Sequence, residues 1–398
     1  MKTRTHSCGA LPDPRHPQEQ ALATISWSEN GSTHSARWHS ENSAPAPATV
    51  VVIDDRSSAK AAHRTAESGA GMLWRGDFHA ARRLVQDLDR RLRRLRPEPE
   101  GDAAQLFHAQ RAARAERAEL LGRVLVLLEA DRSLALRRAP DVREACAHAY
   151  GPPTGEAMCV SVPELLGVIS AHQWHQKGVD VPALGARIHP DYGVFSPVRG
   201  EYVDLVAEAP MPVPRPAVFD IGTGTGVLAA VLGRRGANVV ATDINPRAVA
   251  CARANVDRLG LGAQVRVEEA DLWPAGRADL VVCNPPWIPA RPTSALELGV
   301  YDQDSDVLHR FLAGLAEHLA PAGEGWLVLS DLAERLGLRT RAELLDRIAD
   351  AGLSVRARCD TVPRHPRASD STDPLHLARR DEVTSLWRLV PGSRAGDR

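Results

Sequence analysis

A strand followed by a glycine-rich turn and a helix, VFDIGTGTGVLA (218–229), constrains the fold of this 398-residue chain more than any other segment. The apolar residues before the turn predict a buried strand, and the helix after it begins with N–H groups that have no partner within the helix. Gly222, Gly224 and Gly226 remove side chains where a ligand must approach the backbone closely. The segment therefore predicts a ligand-binding turn in an α/β sheet.

The chain from residue 217 onwards alternates between apolar runs and helical segments. The apolar runs are AVFDI, ANVVATDI, QVRVEEA, ADLVVCN, GWLVLS, LSVRARCDTV and EVTSLWRLV. Helical or mixed segments separate the first five, which predicts parallel strands joined by crossover helices. The link between the last two runs is too polar and proline-rich for a helix, so these two strands are open to antiparallel pairing. Residues 364–382 of this link are interpreted either as a substrate-side loop or as a disordered segment.

The first part of the chain has a different pattern. Residues 1–19 are polar and predict a disordered tail. Asn30 and Gly31 stand between two alternating runs, which favours a hairpin because both residue types tolerate a positive φ. The run TVVVIDD (49–55) predicts a short strand.

Residues 56–140 are predicted to be mainly helical. Within RAELLGRVLVLLEAD (117–131), five apolar residues stand near helical spacing and predict that a helix continues through the segment: Leu120, Leu121, Val124, Leu127 and Leu128. The patterns together predict the tail at 1–19, an N-terminal α+β module at 20–190 that would recognise substrate, and a second domain at 191–398.

Composition excludes several classes of protein. The net charge is −1, so no overall field attracts nucleic acid or a membrane surface. No apolar stretch of about 18 residues is present, and no membrane span is predicted. The six cysteines form no C-x-x-C pair and no signal-type segment begins the chain, so we expect a reducing cytoplasm. His172 and His175 have no third ligand at a recognisable spacing, and no metal site is predicted.

Acidic residues at the strand ends indicate which ligand the glycine turn holds. Asp220 precedes the first glycine, where a carboxylate repels phosphate but pairs with a cationic group. Val227 occupies the position at which the dinucleotide fingerprint needs a small residue, which disfavours a pyrophosphate. Asp243 ends the second strand and is set to accept hydrogen bonds from two ribose hydroxyls, or alternatively to cap a helix. Asp271 and Leu272 follow the third strand, where an acid beside an apolar residue suits adenine, or alternatively forms a turn.

These features together resemble class I S-adenosylmethionine-dependent methyltransferases. The resemblance covers about 195–398 and implies a Rossmann-like, seven-stranded sheet with helices on both faces and the last strand antiparallel. It implies that the cofactor S-adenosylmethionine is bound by Asp220, Gly222, Thr223, Gly224, Gly226, Asp243, Ile244, Asp271, Leu272 and Asn284. The segment YGVFSP (192–197) is similar to the lead-in of the small-domain group of this family, which makes Tyr192 and Phe195 candidates for substrate-side packing, the alternative being interdomain packing.

The fourth predicted strand runs into the segment VVCNPPW (281–287). The last four residues of this segment, Asn284 to Trp287, are the predicted catalytic turn. Pro285 and Pro286 fix φ and restrict the residues before them, so the direction of a backbone carbonyl is preset. The Asn284 side-chain oxygen and the Pro285 carbonyl are suited to accept N–H groups of a nitrogen nucleophile. Trp287 offers a face for stacking a planar group.

This turn resembles the N-P-P-[FYW] motif of methyltransferases acting on adenine N6, guanine N2 and protein glutamine amides. The resemblance implies N-methylation of a nucleobase amino group or a glutamine amide, with nucleic acid or protein as partner and no membrane. Trp287 departs from the more usual Phe or Tyr. Because the N-terminal half matches no substrate module, a small-molecule acceptor stays open. A scaffold that binds the cofactor without catalysis is a separate alternative, which the intact Asn-Pro-Pro-Trp turn disfavours. A nicotinamide dehydrogenase is disfavoured by Val227 and Asp220.

Overall fold

The computed structural model describes residues 23–96, 99–197, 200–364 and 375–392. The predicted tail at 1–19 lies outside these residues, as does most of the segment 364–382. The chain divides into two compact units: an N-terminal unit of Met1–Arg96 and Glu116–Gly167, and a C-terminal unit of Pro97–Ala115 and Val168–Arg398. Each unit is built around its own sheet.

The N-terminal unit contains one mixed sheet of six strands in the order β1-β2-β6-β5-β4-β3. Its strands are β1 Thr24–Glu29, β2 Ser32–Trp38, β3 Val50–Ile53, β4 Gly71–Trp74, β5 Val124–Leu128 and β6 Met158–Ser161. Its helices are α1 Ala59–Glu67, α2 Phe78–Arg94 and α4 Arg143–Tyr150, with parts of α3 Ala103–Leu121 and α5 Val162–Lys177. Strands β3, β4 and β5 are neighbours and run parallel.

The predicted hairpin is confirmed. β1 and β2 pair antiparallel from Thr24 with Arg37 to Glu29 with Ser32. Between them Asn30 has φ 52° and Gly31 has φ 78°. Both turn residues therefore adopt the left-handed backbone that a two-residue hairpin requires.

The predicted helix through residues 117–131 is wrong in its second half. Helix α3 ends at Leu121, and Val124–Leu128 forms strand β5. Four of the five residues of β5 are buried, so the run VLVLL has apolar side chains on both faces of the sheet. Such a run contains neither helical nor strand periodicity, and its β-branched valines and central place in the sheet decide the outcome.

The C-terminal unit contains a seven-stranded sheet in the order β11-β10-β9-β12-β13-β15-β14. Its strands are β9 Ala217–Ile221, β10 Asn238–Asp243, β11 Val265–Glu269, β12 Ala278–Cys283, β13 Leu319–Ser330, β14 Leu353–Thr361 and β15 Thr384–Pro391. The first five are parallel, and β15 pairs antiparallel with both β13 and β14. The predicted fold class, a Rossmann-like sheet whose last strand is antiparallel, is confirmed.

Helices cover both faces of this sheet. They are α6 Glu201–Glu208, α7 Val227–Arg234, α8 Pro246–Arg258, α9 Asp306–His318, α10 Leu332–Arg335, α11 Arg341–Asp350 and α12 His376–Arg380; a small hairpin of β7 Val179–Val181 and β8 Ala186–Ile188 precedes them. One apolar cluster packs α6, α7 and α8 on one face, and a second packs α9 and α11 on the other. Two buried faces explain the nearly continuous apolar runs of the parallel strands.

Candidate active site

The glycine turn lies between β9 and α7, at the carboxyl end of the central parallel strands. Gly222, Gly224 and Gly226 have φ values of 69°, 56° and 80°. A Cβ built on either of the first two meets nothing within 4 Å, whereas one on Gly226 would lie 3.2 Å from Ala252 Cα of helix α8. The first two glycines therefore leave open space beside the backbone, and the third permits close packing of α8 against the turn.

Asp220 lies directly behind this turn and is buried. Its Oδ2 accepts hydrogen bonds from Thr223 Oγ1 at 2.6 Å and from the Ala229 N–H at 3.0 Å. Burial raises the pKa of Asp220 to about 6; the negative charge of Asp243 acts in the same direction, and the two hydrogen bonds oppose both. Thr223 is thus engaged in orienting the carboxylate. A positive charge near the turn would favour the ionised form of Asp220.

Asp243 ends β10 and holds the turn from the neighbouring strand. Its Oδ2 accepts from the Gly224 N–H at 2.9 Å, and its Oδ1 accepts from the Asn245 N–H at 2.9 Å. The N-cap of α8 is Asn245, whose side chain accepts from Arg247 N. The alternative interpretation of Asp243 as a helix cap is therefore wrong. The residue is only partly buried, and a carboxylate has more acceptor sites than these N–H groups occupy.

An exposed apolar residue follows Asp243 in the chain. The next residue, Ile244, leaves 40% of its surface exposed at the carboxyl edge of the sheet. An exposed isoleucine beside a carboxylate that already binds the glycine turn offers a polar contact and an apolar contact to one ligand.

Asp271 and Leu272 follow β11, where the third acid was expected. Asp271 is exposed and pairs with Arg310 of helix α9 at 2.8 Å. Leu272 has φ 72°, and its carbonyl accepts from Thr242 Oγ1 at 2.6 Å. The turn is therefore anchored to β10 through a backbone carbonyl, while the Asp271 carboxylate has an arginine partner. Any adenine contact at Asp271 must compete with that pair.

The Asn-Pro-Pro-Trp turn begins immediately after β12. Cys283 pairs with Ile221 of the adjacent parallel strand, so Asn284 and Gly222 are the next residues of two strands about 5 Å apart. The sequence-predicted donor and acceptor residues are thus brought together, although they are 62 positions apart in the chain. Burial raises the pKa of the Cys283 thiol well above its usual value, which disfavours a thiolate nucleophile at the strand end.

Trp287 is linked to its own turn. The indole Nε1 donates to Asn284 Oδ1 at 2.8 Å. The indole ring also meets Tyr202 of helix α6 edge to face, with centroids 6.4 Å apart and planes at 89°. Pro285 is buried, and Pro286 is partly exposed. Tyr202 was not predicted; it is distant in sequence and carries no motif, so no local signal could have identified it.

Tyr192 and Phe195 pack within the C-terminal unit. The guanidinium of Arg247 lies over the Tyr192 ring at 5.8 Å, near the start of α8. A Cβ on Gly299 would come 2.7 Å from Phe195 Cβ, so Phe195 lies against the chain that follows the Asn-Pro-Pro-Trp turn. Tyr192 therefore lies beside the start of α8, and Phe195 lies beside the loop that follows the Asn-Pro-Pro-Trp turn.

Comparison with known proteins gives matches in this part of the chain. Residues 186–339 match the family model described as the methyltransferase small domain. The release factor glutamine methyltransferase of Gloeobacter violaceus is 31% identical over 156 residues, which cover 35% of this chain and 54% of that protein. The ribosomal protein L11 methyltransferase of Pelotomaculum thermopropionicum is 47% identical over 74 residues, which cover 18% of this chain and 24% of that protein.

Among solved structures, ribosomal protein L11 methylase from Lactobacillus delbrueckii subsp. bulgaricus aligns at 20% identity with a TM-score of 0.35, covering 52% of this chain and 86% of that chain. The chain spans about half the length of the release factor relatives it matches. The sequence matches confirm the predicted resemblance to class I methyltransferases that use S-adenosylmethionine. No helix within the described ranges has the length and apolar character needed to cross a membrane.

Proposed function

We propose that the C-terminal unit is an S-adenosylmethionine-dependent N-methyltransferase whose acceptor is the nitrogen of a planar amide or exocyclic amino group. One observation carries this proposal: the strand register sets Asn284 beside the glycine turn, with the Asn284 side-chain oxygen already oriented by Trp287. A hydrogen-bond acceptor that can orient a nitrogen nucleophile therefore lies next to the residues expected to hold the methyl donor.

The residues expected to hold the methyl donor fit a cationic nucleoside. Gly222 and Gly224 leave space at the backbone, Asp243 presents carboxylate oxygens at the end of β10, and Ile244 offers apolar surface. Asp220 supplies negative charge behind the turn, where phosphate would be repelled. S-adenosylmethionine, when bound here, would supply an electrophilic methyl group on a sulfonium.

The Asn-Pro-Pro-Trp turn would orient the methyl acceptor, which is a poor nucleophile. The lone pair of an amide or aromatic amine is delocalised, so it must be aimed at the methyl group and encouraged towards pyramidal geometry. Asn284 Oδ1 and the Pro285 carbonyl would accept the two N–H groups of such a nitrogen. The two prolines hold this carbonyl in place, and the Trp287 ring would cover one face of the planar group.

The relatives support a protein amide as the first acceptor to test. Several are named release factor glutamine methyltransferases, and a glutamine side chain is a planar amide. A nucleobase amino group has the same donor geometry and is the second choice. Because only part of each relative is matched, the methyl acceptor is proposed as a chemical class, a planar amide or amino nitrogen.

Two measurements test the proposal on the full chain. Calorimetric titration should show binding of S-adenosylhomocysteine and no binding of NAD. Incubation with methyl-labelled cofactor and fractionated lysate should label protein or RNA on nitrogen. Label confined to carbon or oxygen acceptors would contradict the nitrogen assignment, and NAD binding alone would contradict the cofactor.

Asn284→Ala is the decisive variant. Loss of one hydrogen-bond acceptor aimed at the nucleophile should lower the methylation rate at saturating cofactor by about 10²- to 10³-fold, whereas affinity for S-adenosylhomocysteine should change far less. Asn238→Ala, at an exposed position at the start of β10, is the matched control and should keep the full rate. Full-rate methyl transfer by Asn284→Ala would remove the proposed role of the turn.

A further inference from the structure

The thirteen residues after Ile288 form a closed loop, which we call the acceptor loop (289–301). Its two ends meet at Ile288, the residue after Trp287. The Ile288 N–H donates to the Val300 carbonyl at 3.3 Å, and the Asp302 N–H donates to the Ile288 carbonyl at 2.9 Å. The loop is therefore hydrogen-bonded to the residue that directly follows the turn carrying Asn284 and Trp287.

A side chain from far upstream in the sequence holds the acceptor loop. Arg111, on the part of helix α3 that belongs to the C-terminal unit, donates from Nη2 to the Arg291 carbonyl at 2.6 Å. The same nitrogen lies 3.3 Å from the Glu297 carboxylate. The guanidinium carbon also lies 3.8 Å from the centroid of the Tyr301 ring. One planar cation thus contacts both the body and the end of the loop.

Glu297 is the centre of these contacts. It also accepts from the Thr293 N–H at 2.9 Å and from Thr293 Oγ1 at 2.8 Å. Burial alone would raise the pKa of Glu297, but the hydrogen bonds from Thr293 and Arg111 outweigh it and hold that pKa below its ordinary value. The side chains of Arg111 and Glu297 are only 17% and 14% exposed, so solvent screens the pair less than it would a surface pair.

Helix α3 is fixed at this place by an apolar contact one turn earlier. Phe107 is 3% exposed and packs in the cluster that contains Ile288, Leu332 and Leu336, with Trp287 partly buried against it. Its ring lies 6.4 Å from that of Tyr301. Phe107 and Arg111 are four residues apart and therefore share one helix face, which is turned towards the acceptor loop.

We propose that Arg111 is a positioning residue for the methyl acceptor, acting through the acceptor loop on Trp287 and Asn284. This inference rests on the proposed N-methyltransferase function. Arg111 is suited to the role because a guanidinium can stack on Tyr301 while donating to a carbonyl and a carboxylate, a combination that lysine cannot reproduce. Residues 103–115 of helix α3 are then part of the acceptor side of the site.

The first test measures the loop itself, by hydrogen exchange of backbone amides in the full chain. Arg111→Ala should accelerate exchange at the Ile288, Val300 and Asp302 amides by about tenfold or more, because local opening becomes easier. Amides of β9, β10 and β12 should keep their protection. Arg114→Ala, exposed on the same helix, is the matched control and should change neither set. Unchanged exchange in Arg111→Ala would overturn the proposal.

The second test measures the consequence for methyl transfer. With labelled S-adenosylmethionine and the same lysate fraction, Arg111→Ala should label about 10- to 100-fold more slowly, since small misplacements of an acceptor are costly. Affinity for S-adenosylhomocysteine should match the wild type. A faster-exchanging loop with wild-type labelling would overturn the positioning role.

Arg111→Lys guards against simple unfolding of the alanine variant. It keeps the charge and the aliphatic stem but loses the planar stack, so it should remain folded with an intermediate loss of labelling and of loop protection. Wild-type behaviour of Arg111→Lys in both measurements would contradict the role assigned to the guanidinium. Exchange reports on the loop whether or not cofactor binds, so absence of S-adenosylhomocysteine binding by the wild type would count against the proposed function alone.

Discussion

Each of the two units contains neighbouring parallel strands, and the carboxyl ends of these strands are occupied differently. In the N-terminal unit, Asp55 follows β3 and accepts from the Asp77 N–H at 2.9 Å. Asp77 follows β4, caps helix α2 through His79 and Ala80, and accepts from Arg138 Nε at 2.6 Å. Asp55 is paired in turn with Arg137. The charged groups at this edge therefore bind one another.

The corresponding edge of the C-terminal unit is open. Gly222 and Gly224 have no atoms within 4 Å of a built Cβ, whereas Gly76, at the end of β4, would place its Cβ 2.7 Å from Asp55 Cγ. Glycine thus has opposite uses in the two sheets. At Gly76 it admits a neighbouring carboxylate of the same chain, and at Gly222 and Gly224 it leaves space for a molecule from outside. Parallel-strand architecture alone does not make a binding site; the occupancy of the strand ends decides it.

The largest effect should come from filling the open edge. Gly224→Val would place two methyl groups in the ligand space, and affinity for S-adenosylhomocysteine should fall by on the order of 100-fold, about 2.8 kcal/mol. The positive φ of 56° adds about 1–2 kcal/mol of backbone strain. Calorimetric titration measures the affinity, and denaturant unfolding measures the strain.

Gly260→Val separates these two contributions. Gly260 has φ 68° and also lacks atoms within 4 Å of a built Cβ, but it lies in the exposed turn after α8. It should show similar destabilisation with wild-type affinity. Equal loss of affinity in both variants would show that strain, and not occupied space, is responsible.

The carboxyl edge of the N-terminal sheet, which its own charged side chains fill, is called the filled edge. A change there should affect stability without affecting ligand binding. Gly76→Ala would bring its Cβ 2.7 Å from Asp55 Cγ and 3.0 Å from the Asp55 nitrogen, so the acid and its hydrogen bond to Asp77 must shift. We expect a loss of about 1–3 kcal/mol in the free energy of unfolding, measured in urea. Gly167→Ala, in helix α5 with no atom within 4 Å, should be neutral or stabilising. Wild-type stability of Gly76→Ala would show that Asp55 can move away from position 76 at little energetic cost.

The buried acid of the open edge should make cofactor binding depend on pH. Because burial raises the pKa of Asp220 from 3.8 to about 6, its contribution to folding is fully present below pH 3.8 and is lost as pH rises through about 6. A sulfonium reverses this preference, since it favours the carboxylate. Affinity for S-adenosylmethionine should therefore fall below about pH 6, by at most about tenfold per pH unit.

S-adenosylhomocysteine, which lacks the positive sulfur, provides the comparison. Its affinity should depend less on pH over the same interval, and Asp220→Asn should abolish the difference between the two ligands. Calorimetry at a series of pH values measures both. Parallel pH profiles for the two ligands in the wild type would mean that Asp220 does not sense the sulfonium charge.

The smallest effect is expected at the filled edge in acid. The hydrogen bond from Arg138 lowers the pKa of Asp77 from 3.8 to about 2. The associated stability is present above pH 3.8 and is lost as pH falls through about 2. Arg138→Gln should move the acid-unfolding midpoint, followed by circular dichroism, to higher pH. Arg94→Gln, at an exposed position on α2, removes the same charge and should leave the midpoint in place. Identical midpoints for the two variants would assign the effect to net charge.

The sequence predicts the strands and turns that border the open edge because their signals are local. The glycine spacing, the acids that end β9 and β10, and the prolines after β12 each restrict a few consecutive residues, and parallel pairing brings them together. The path of the chain through residues 117–131 was not predictable in the same way. The run VLVLL is buried on both faces, and only its pairing with β4 and β6 establishes that it is a strand.

Long-range partners of the site residues are also missing from the sequence prediction. Arg111 reaches an acceptor loop that begins about 180 positions later, and no spacing rule links helix α3 to that loop. The pair between Asp271 and Arg310 is of the same kind. A charged residue on a helix surface has many potential partners, and the fold alone selects one.

The hydrogen bond from the Trp287 indole to Asn284 Oδ1 has an entropic consequence for the proposed methyl transfer. A primary amide can rotate by half a turn and present either oxygen or NH₂ to its surroundings. The indole is a donor only, so it selects the oxygen-inward state of Asn284 before any acceptor arrives, and the second lone pair of the oxygen stays available. A phenylalanine at position 287 has no N–H donor, so the Asn284 amide could adopt either orientation. The tryptophan therefore acts as a rotational lock, and Trp287→Phe would show how much of the rate depends on that ordering.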